Sequence, residues 1–139
     1  MSFELYVQSF KHGEPAGIPR GVIRAAFSGS LSEQERDRWY ISYSSSDSCS
    51  LALSALPDSP GQVHNITVER PCSNPHFWRS LVALLSVGNT VLYFPGCIGP
   101  LLLNAGAAAH LPQDMLASLG EPIVVSDGAE ILAHVRAAA

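Results

Sequence analysis

Cys97 is the residue whose setting most resembles a reactive one. It follows Pro95-Gly96 at the exit of the apolar run "NTVLYFPGCIGPLLL" (residues 89–103), where an enzyme would keep a thiolate nucleophile with a histidine as its base. His110 is the nearest histidine in sequence, and Asp127 follows the next apolar run, so Cys97, His110 and Asp127 together would line a pocket at the ends of the central strands. No Arg, Lys or His lies within ten residues of Cys97, however, and a thiolate there has no local cation to stabilise it. The favoured reading is a cysteine that packs as a small apolar side chain.

Other chemistries find less. Cys72 and His76 have one tight ligand spacing, but Cys97 and His110 do not supply the second pair that tetrahedral zinc sites usually show. There is no G-x-S-x-G elbow, no Gly-Lys-Ser/Thr phosphate loop and no G-x-G-x-x-G fingerprint. Neither a metal nor a cofactor is expected. Cys49, Cys72 and Cys97 are odd in number and widely spaced, which argues for reduced thiols rather than a disulfide framework.

A binding surface is the remaining chemistry. Acids gather in the middle third at Glu33, Glu35 and Asp37, with Asp47 and Asp58 across one hairpin, and Arg36 and Arg38 interleave with them. In "RWYISYS", inward-pointing Trp39, Ile41 and Tyr43 would leave Tyr40 exposed as an anchor for a partner.

The whole chain bounds these readings. Its 139 residues suit one domain, 1–139, and 47% apolar against 14% charged residues indicates a folded chain with some apolar surface to cover. The net charge of −4, with one lysine against seven arginines and no basic run, argues against nucleic acid. No apolar run approaches a membrane span, and the start "MSFE" lacks a signal peptide's basic region, so a cytoplasmic protein is expected.

The elements that must position these residues follow from periodicity and punctuation. Phe3, Leu5 and Val7 alternate as a first strand; Pro19 opens a helix that Gly29 closes. "SLSEQERDR" carries Ser-x-x-Glu patterns and is either a short helical turn or a loop. "RWYISYS", "CSLALSAL" and "QVHNITVER" form an antiparallel meander, with Cys49 in phase with buried Leu51 and Leu53. Asn74-Pro75 opens a helix that ends at Gly88, and "TVLYFP" is a strand covered on both faces. Helix "LPQDMLASLG", strand "PIVVS" and a helix capped by Asp127 complete the chain. The helical crossover predicts that "TVLYFP" and "PIVVS" are parallel. The expected fold is α+β: one mixed sheet of about six strands, an antiparallel meander plus a parallel crossover pair, with three to four helices.

Three blocks, "MSFELYVQSF" with "GEPAGIPRGVIRAAF", "VERPCSNPHFWRSLVALLSVGNTVLYFPG" and "HLPQDMLASLGEPIVVSDGAEIL", resemble a family of small uncharacterised proteins of high-GC bacteria. Proteins of this size and style resemble immunity proteins encoded beside secreted antibacterial toxins. That resemblance implies a protein without catalytic residues that neutralises a cognate toxin by occluding its active site. Glu33, Glu35, Asp37, Tyr40, Asp47 and Asp58 would meet the toxin. The rival expectations are a small enzyme or ligand-binding domain with its pocket near Cys97 and His110, and a subunit whose apolar surplus makes a homodimer.

Overall fold

The computed structural model describes residues 3–33 and 35–138. Met1 and Ser2 of the first resembling block lie outside the described residues. In chain order the elements begin with strands β1 (Glu4–Lys11), β2 (Glu14–Ala16) and β3 (Ile18–Pro19), helix α1 (Arg20–Ala26) and β4 (Leu31–Glu33). The meander follows as β5 (Arg38–Ser44), β6 (Asp47–Leu56) and β7 (Ser59–Glu69), then α2 (Pro75–Leu85) and β8 (Thr90–Tyr93). The chain closes with β9 (Leu101–Leu102), a 3-10 helix (Ala105–His110), α3 (Gln113–Leu119), β10 (Ile123–Val124) and α4 (Gly128–Ala138).

All the strands join one mixed sheet in the order β10-β9-β8-β1-β7-β6-β5-β4, with β2 on β1 and β3 on β7. The α+β class and the mixed sheet agree with expectation; the sheet has ten strands rather than about six, and the described residues hold four α-helices and one 3-10 helix. The additional strands are short. Leu31–Glu33 pairs with β5, so the Ser-x-x-Glu patterns there open no helix. His12 and Gly13 both take positive φ (51° and 81°), the tight reversal that folds β2 back on β1.

The parallel pair is also different from the one expected. "TVLYFP" (β8) is antiparallel to both neighbours, and "PIVVS" supplies β10, which runs parallel to β9 instead. The reason is the Pro95–Pro100 turn: it reverses the chain, so the crossover through α3 starts from Leu102 rather than from Phe94. β8 nonetheless occupies the interior position its apolar sequence demands, with Val91 and Leu92 packed in separate clusters.

The main core lies on one face of the sheet. Leu5, Val7, Trp39, Ile41, Leu51, Leu53, Ile66 and Val68 pack there with Ile23 and Phe27 from α1, Phe77, Leu81 and Leu84 from α2, and Ile131 from α4. α2 starts as expected: the Asn74 side chain accepts the His76 N–H at 2.8 Å, and Pro75 opens the first turn. At the other end of the chain, Asp127 accepts the Glu130 N–H at 2.9 Å while Glu130 accepts from Ser126, a reciprocal cap for α4. A smaller cluster of Phe10, Val91, Leu102, Ala107 and Leu111 covers the opposite face, but only at the β8–β9 end.

Candidate functional site

Among the described residues, none covers the half of the second face formed by β1, β7, β6, β5 and β4. Strand pairing sets its side chains in rows: Glu4, Glu69, Ser50, Tyr40 and Ser32 in one, Tyr93, Tyr6, Thr67, Ala52 and Arg38 in the next. Gln8, Asn65 and Ser54 make a third row, with Ser42 opposite Ser48 beyond Tyr40. None of these residues is buried, whereas their sequence neighbours Leu5, Val7, Trp39, Ile41, Leu51, Leu53 and Val68 are. Five strands spaced at about 4.8 Å, four of them seven or more residues long and β4 only three, give a plane of roughly 24 Å by 24 Å at its widest.

The surface is preorganised. Tyr6 and Tyr93 stack with ring centroids 5.2 Å apart, and the Tyr6 hydroxyl donates to Glu4 Oε2 at 3.2 Å. Arg38 reaches across β6, donating to Glu69 Oε1 at 2.8 Å and to Ser50 Oγ at 3.4 Å. A depression of about 390 Å³ is bounded by Glu4, Tyr40, Ser48, Ser50, Glu69 and Arg70. Tyr40 is 38% exposed, as its place between buried Trp39 and Ile41 requires.

Burial pushes the phenol of Tyr93 up, and burial with the neighbouring Glu4 carboxylate does the same to Tyr6. Burial also raises Tyr43 on the core face, against hydrogen bonds with Ser30 and Ser80 that pull it down. The Cys72 thiol is raised by its hydrogen bond with Cys49 and by burial. In all four the fold favours the protonated form, so this stability is complete below the unfolded-state values. The reduced protein is therefore expected to lose stability as pH rises above about 9, first through Cys72 and then through the tyrosines above about 10. Denaturant midpoints measured from about pH 8 to 11 should fall steadily; a flat profile would contradict this.

The acids of the middle third do not make one patch. Asp37 receives Arg20 Nη2 at 2.7 Å and Glu33 receives Arg24 Nε at 3.1 Å, so two charges of the β4–β5 hairpin are paired. Glu35 and Asp58 are exposed. Asp47 holds the chain ahead of α2, accepting the N–H groups of Ser73 at 2.7 Å and Asn74 at 3.0 Å. Asp47 and Asp58 flank the two ends of β6, about 30 Å apart by strand geometry. Of the six expected partner-binding residues, Tyr40 lies on the uncovered face; Glu33, in register with buried Trp39 and bonded to Arg24 of α1, is on the helix side of the sheet, and Asp37 is engaged from that side by Arg20.

Cys97, His110 and Asp127 are not brought together. Cys97 lines a cavity of about 80 Å³ with Phe94, Leu101, His134 and Ala138, and the histidine there is His134. Asp127 begins the helix whose far end forms that cavity, so about 15 Å of α4 separates the two. His110 sits at the β1–β2 hairpin, where its Nδ1 accepts the His12 N–H at 3.0 Å and its carbonyl accepts from Gly13. A cavity of that volume falls well short of the several hundred Å³ a metabolite occupies. Among the described residues no group of three or more His, Cys, Asp and Glu is arranged to hold a metal ion, and no helix is long and apolar enough to cross a membrane. Ile98 (76% exposed) and Val124 (54% exposed) leave apolar surface at the β9–β10 end.

No family model, curated protein or solved structure matches the chain.

Proposed function

We propose that this protein acts by binding another protein through the uncovered face of its sheet. The observation that carries the reading is the face's composition: Tyr6 and Tyr40 stand among Ser32, Ser42, Ser48, Ser50, Ser54, Asn65 and Thr67, with Tyr93 of β8 at the edge where the smaller cluster begins. Tyrosine supplies rigid amphipathic contact area at small entropic cost, and Ser, Asn and Thr supply adaptable hydrogen bonds, the combination that antibody paratopes use. The plane, roughly 600 Å² before side-chain relief, is of the order of one partner's share of a standard interface, about 800 Å². Side-chain order already present in the Tyr6–Tyr93 stack and the Arg38–Glu69 bridge lowers the cost of association.

In its most concrete form the reading is a cytoplasmic immunity protein whose partner is a bacterial toxin, held so that the toxin's active site is occluded. The resemblance of the three sequence blocks supports that form. The test is co-expression with the product of the adjacent gene: a toxic product should be neutralised and co-purify as a complex. Tyr40→Ala should weaken that complex about tenfold in Kd without moving Tm, because it removes an exposed anchor. An adjacent product that neither binds nor is neutralised would remove the immunity form.

A further inference from the structure

We propose that Cys49 and Cys72 are placed to form a disulfide when the chain folds under oxidising conditions, stapling β6 to the segment between β7 and α2, and that they stay reduced in a reducing cytoplasm. Their sulfurs lie 3.1 Å apart although the residues are 23 positions apart in sequence, and no other free cysteine shares the contact. A disulfide requires about 2.05 Å, so closing the pair takes about 1 Å of movement. The backbone on both sides is already fixed in place. Ser50 is in register with Glu69 beside one end of the pair, and the Asp47 carboxylate holds the Ser73 and Asn74 N–H groups beside the other. The two side chains are 6% and 2% exposed and point into the main core, where an S–S bond replaces two weakly polar S–H groups.

The chemistry balances with a low-molecular-weight disulfide such as oxidised glutathione as oxidant. One cysteine thiolate attacks it, forming a mixed disulfide and releasing one glutathione thiolate. The second cysteine thiolate then attacks the protein sulfur, forming the Cys49–Cys72 bond and releasing the second glutathione. Two thiol protons pass to the two glutathiones; the cysteine pair is oxidised and the glutathione disulfide is reduced. Because both thiols are buried and the hydrogen bond between them holds Cys72 protonated, exchange is slow in the native state and fast while the chain folds. The oxidation state of the pair is therefore set by the conditions under which the chain folds.

The experiment is refolding of the full chain in a glutathione redox buffer, followed by denaturation, alkylation with iodoacetamide and peptide mapping by mass spectrometry. The expected product has lost two hydrogens, carries one alkyl group on Cys97 and yields a linked Cys49–Cys72 peptide. Reductant should then lower Tm by about 10 °C, the scale for opening a loop of this length in a chain of this size. Cys97→Ser should retain both the link and the Tm shift. Three alkylated cysteines after oxidative refolding, or a bridge that includes Cys97, would overturn the proposal.

Discussion

Replacing Arg20 with alanine is expected to lower the unfolding free energy by about 3 kcal/mol. The Arg20 side chain is 10% exposed and uses all three guanidinium nitrogens. Nε donates to the Pro60 carbonyl and Nη1 to the Arg36 carbonyl, each at 2.8 Å, and Nη2 donates to Asp37. One residue at the start of α1 thus ties the β4–β5 hairpin to the start of β7. The Arg36 carbonyl also accepts the buried Trp39 indole N–H at 3.2 Å, so the same clamp fixes the strand that presents Tyr40. Lysine cannot reproduce the planar fork, and Arg20→Lys should recover less than half of the loss. Asp37→Asn should cost at most about 1 kcal/mol, because that carboxylate is 57% exposed and meets only one arm of the fork. Urea unfolding of the three variants measures the series; equal losses for Arg20→Ala and Asp37→Asn would show that the ion pair, not the two carbonyl bonds, matters.

Gly99→Ala is expected to cost about 3 kcal/mol, the upper end for overpacking, because the obstruction is backbone and cannot rotate away. A Cβ at residue 99 would lie 2.0 Å from the Glu121 carbonyl oxygen. The segments that meet there are the turn before β9 and the approach to β10, and a neighbouring position is also obstructed by backbone: a Cβ on Gly120, at φ 101°, would come within 2.7 Å of the Ile98 carbonyl oxygen. Pushing them apart breaks the Ile123 N–H bond to the Pro100 carbonyl, 2.8 Å, and loosens the parallel pair. Gly106→Ala is the control, since a Cβ there meets nothing within 4 Å; it should change stability by less than about 0.5 kcal/mol. Similar losses in both variants would contradict the close-approach account.

What could be read from sequence, and what could not, divides along the range of the interactions. The meander was legible because Trp39/Ile41 and Cys49/Leu51/Leu53 alternate with polar residues; the alternation left open which face of β5 is buried, and the structure puts Trp39 inward and Tyr40 outward. Asn74-Pro75 and Asp127 announced their helices through local hydrogen bonds. Leu101–Leu102 was not legible: two residues within an apolar run have no period, and their pairing depends on the reversal at Pro95–Pro100. Leu31–Glu33 was obscured by a helix-capping pattern, and it is a strand only because β5 offers it a partner. The acids were visible as composition, but the Arg20 and Arg24 pairs that engage Asp37 and Glu33 come from another element. Each row of the uncovered face was implicit in the strand phases. That no helix among the described residues covers it followed from tertiary placement, as did the approach of Cys72 to Cys49.

The central claim is that a partner docks on the face of β1, β7, β6, β5 and β4. Its most direct test places one arginine on each side of the sheet, Ser50→Arg in the middle of the uncovered face and Ala83→Arg on the solvent side of α2, and measures the Kd of each variant for the product of the adjacent gene. Both positions admit a long side chain without disturbing the core, since Ser50 is half-buried and Ala83 is exposed. The account predicts a loss of about 100-fold for Ser50→Arg, through the bulk of the side chain and the desolvation of its charge in the interface, and less than about threefold for Ala83→Arg. Unchanged affinity for Ser50→Arg, or a larger loss for Ala83→Arg, would contradict it.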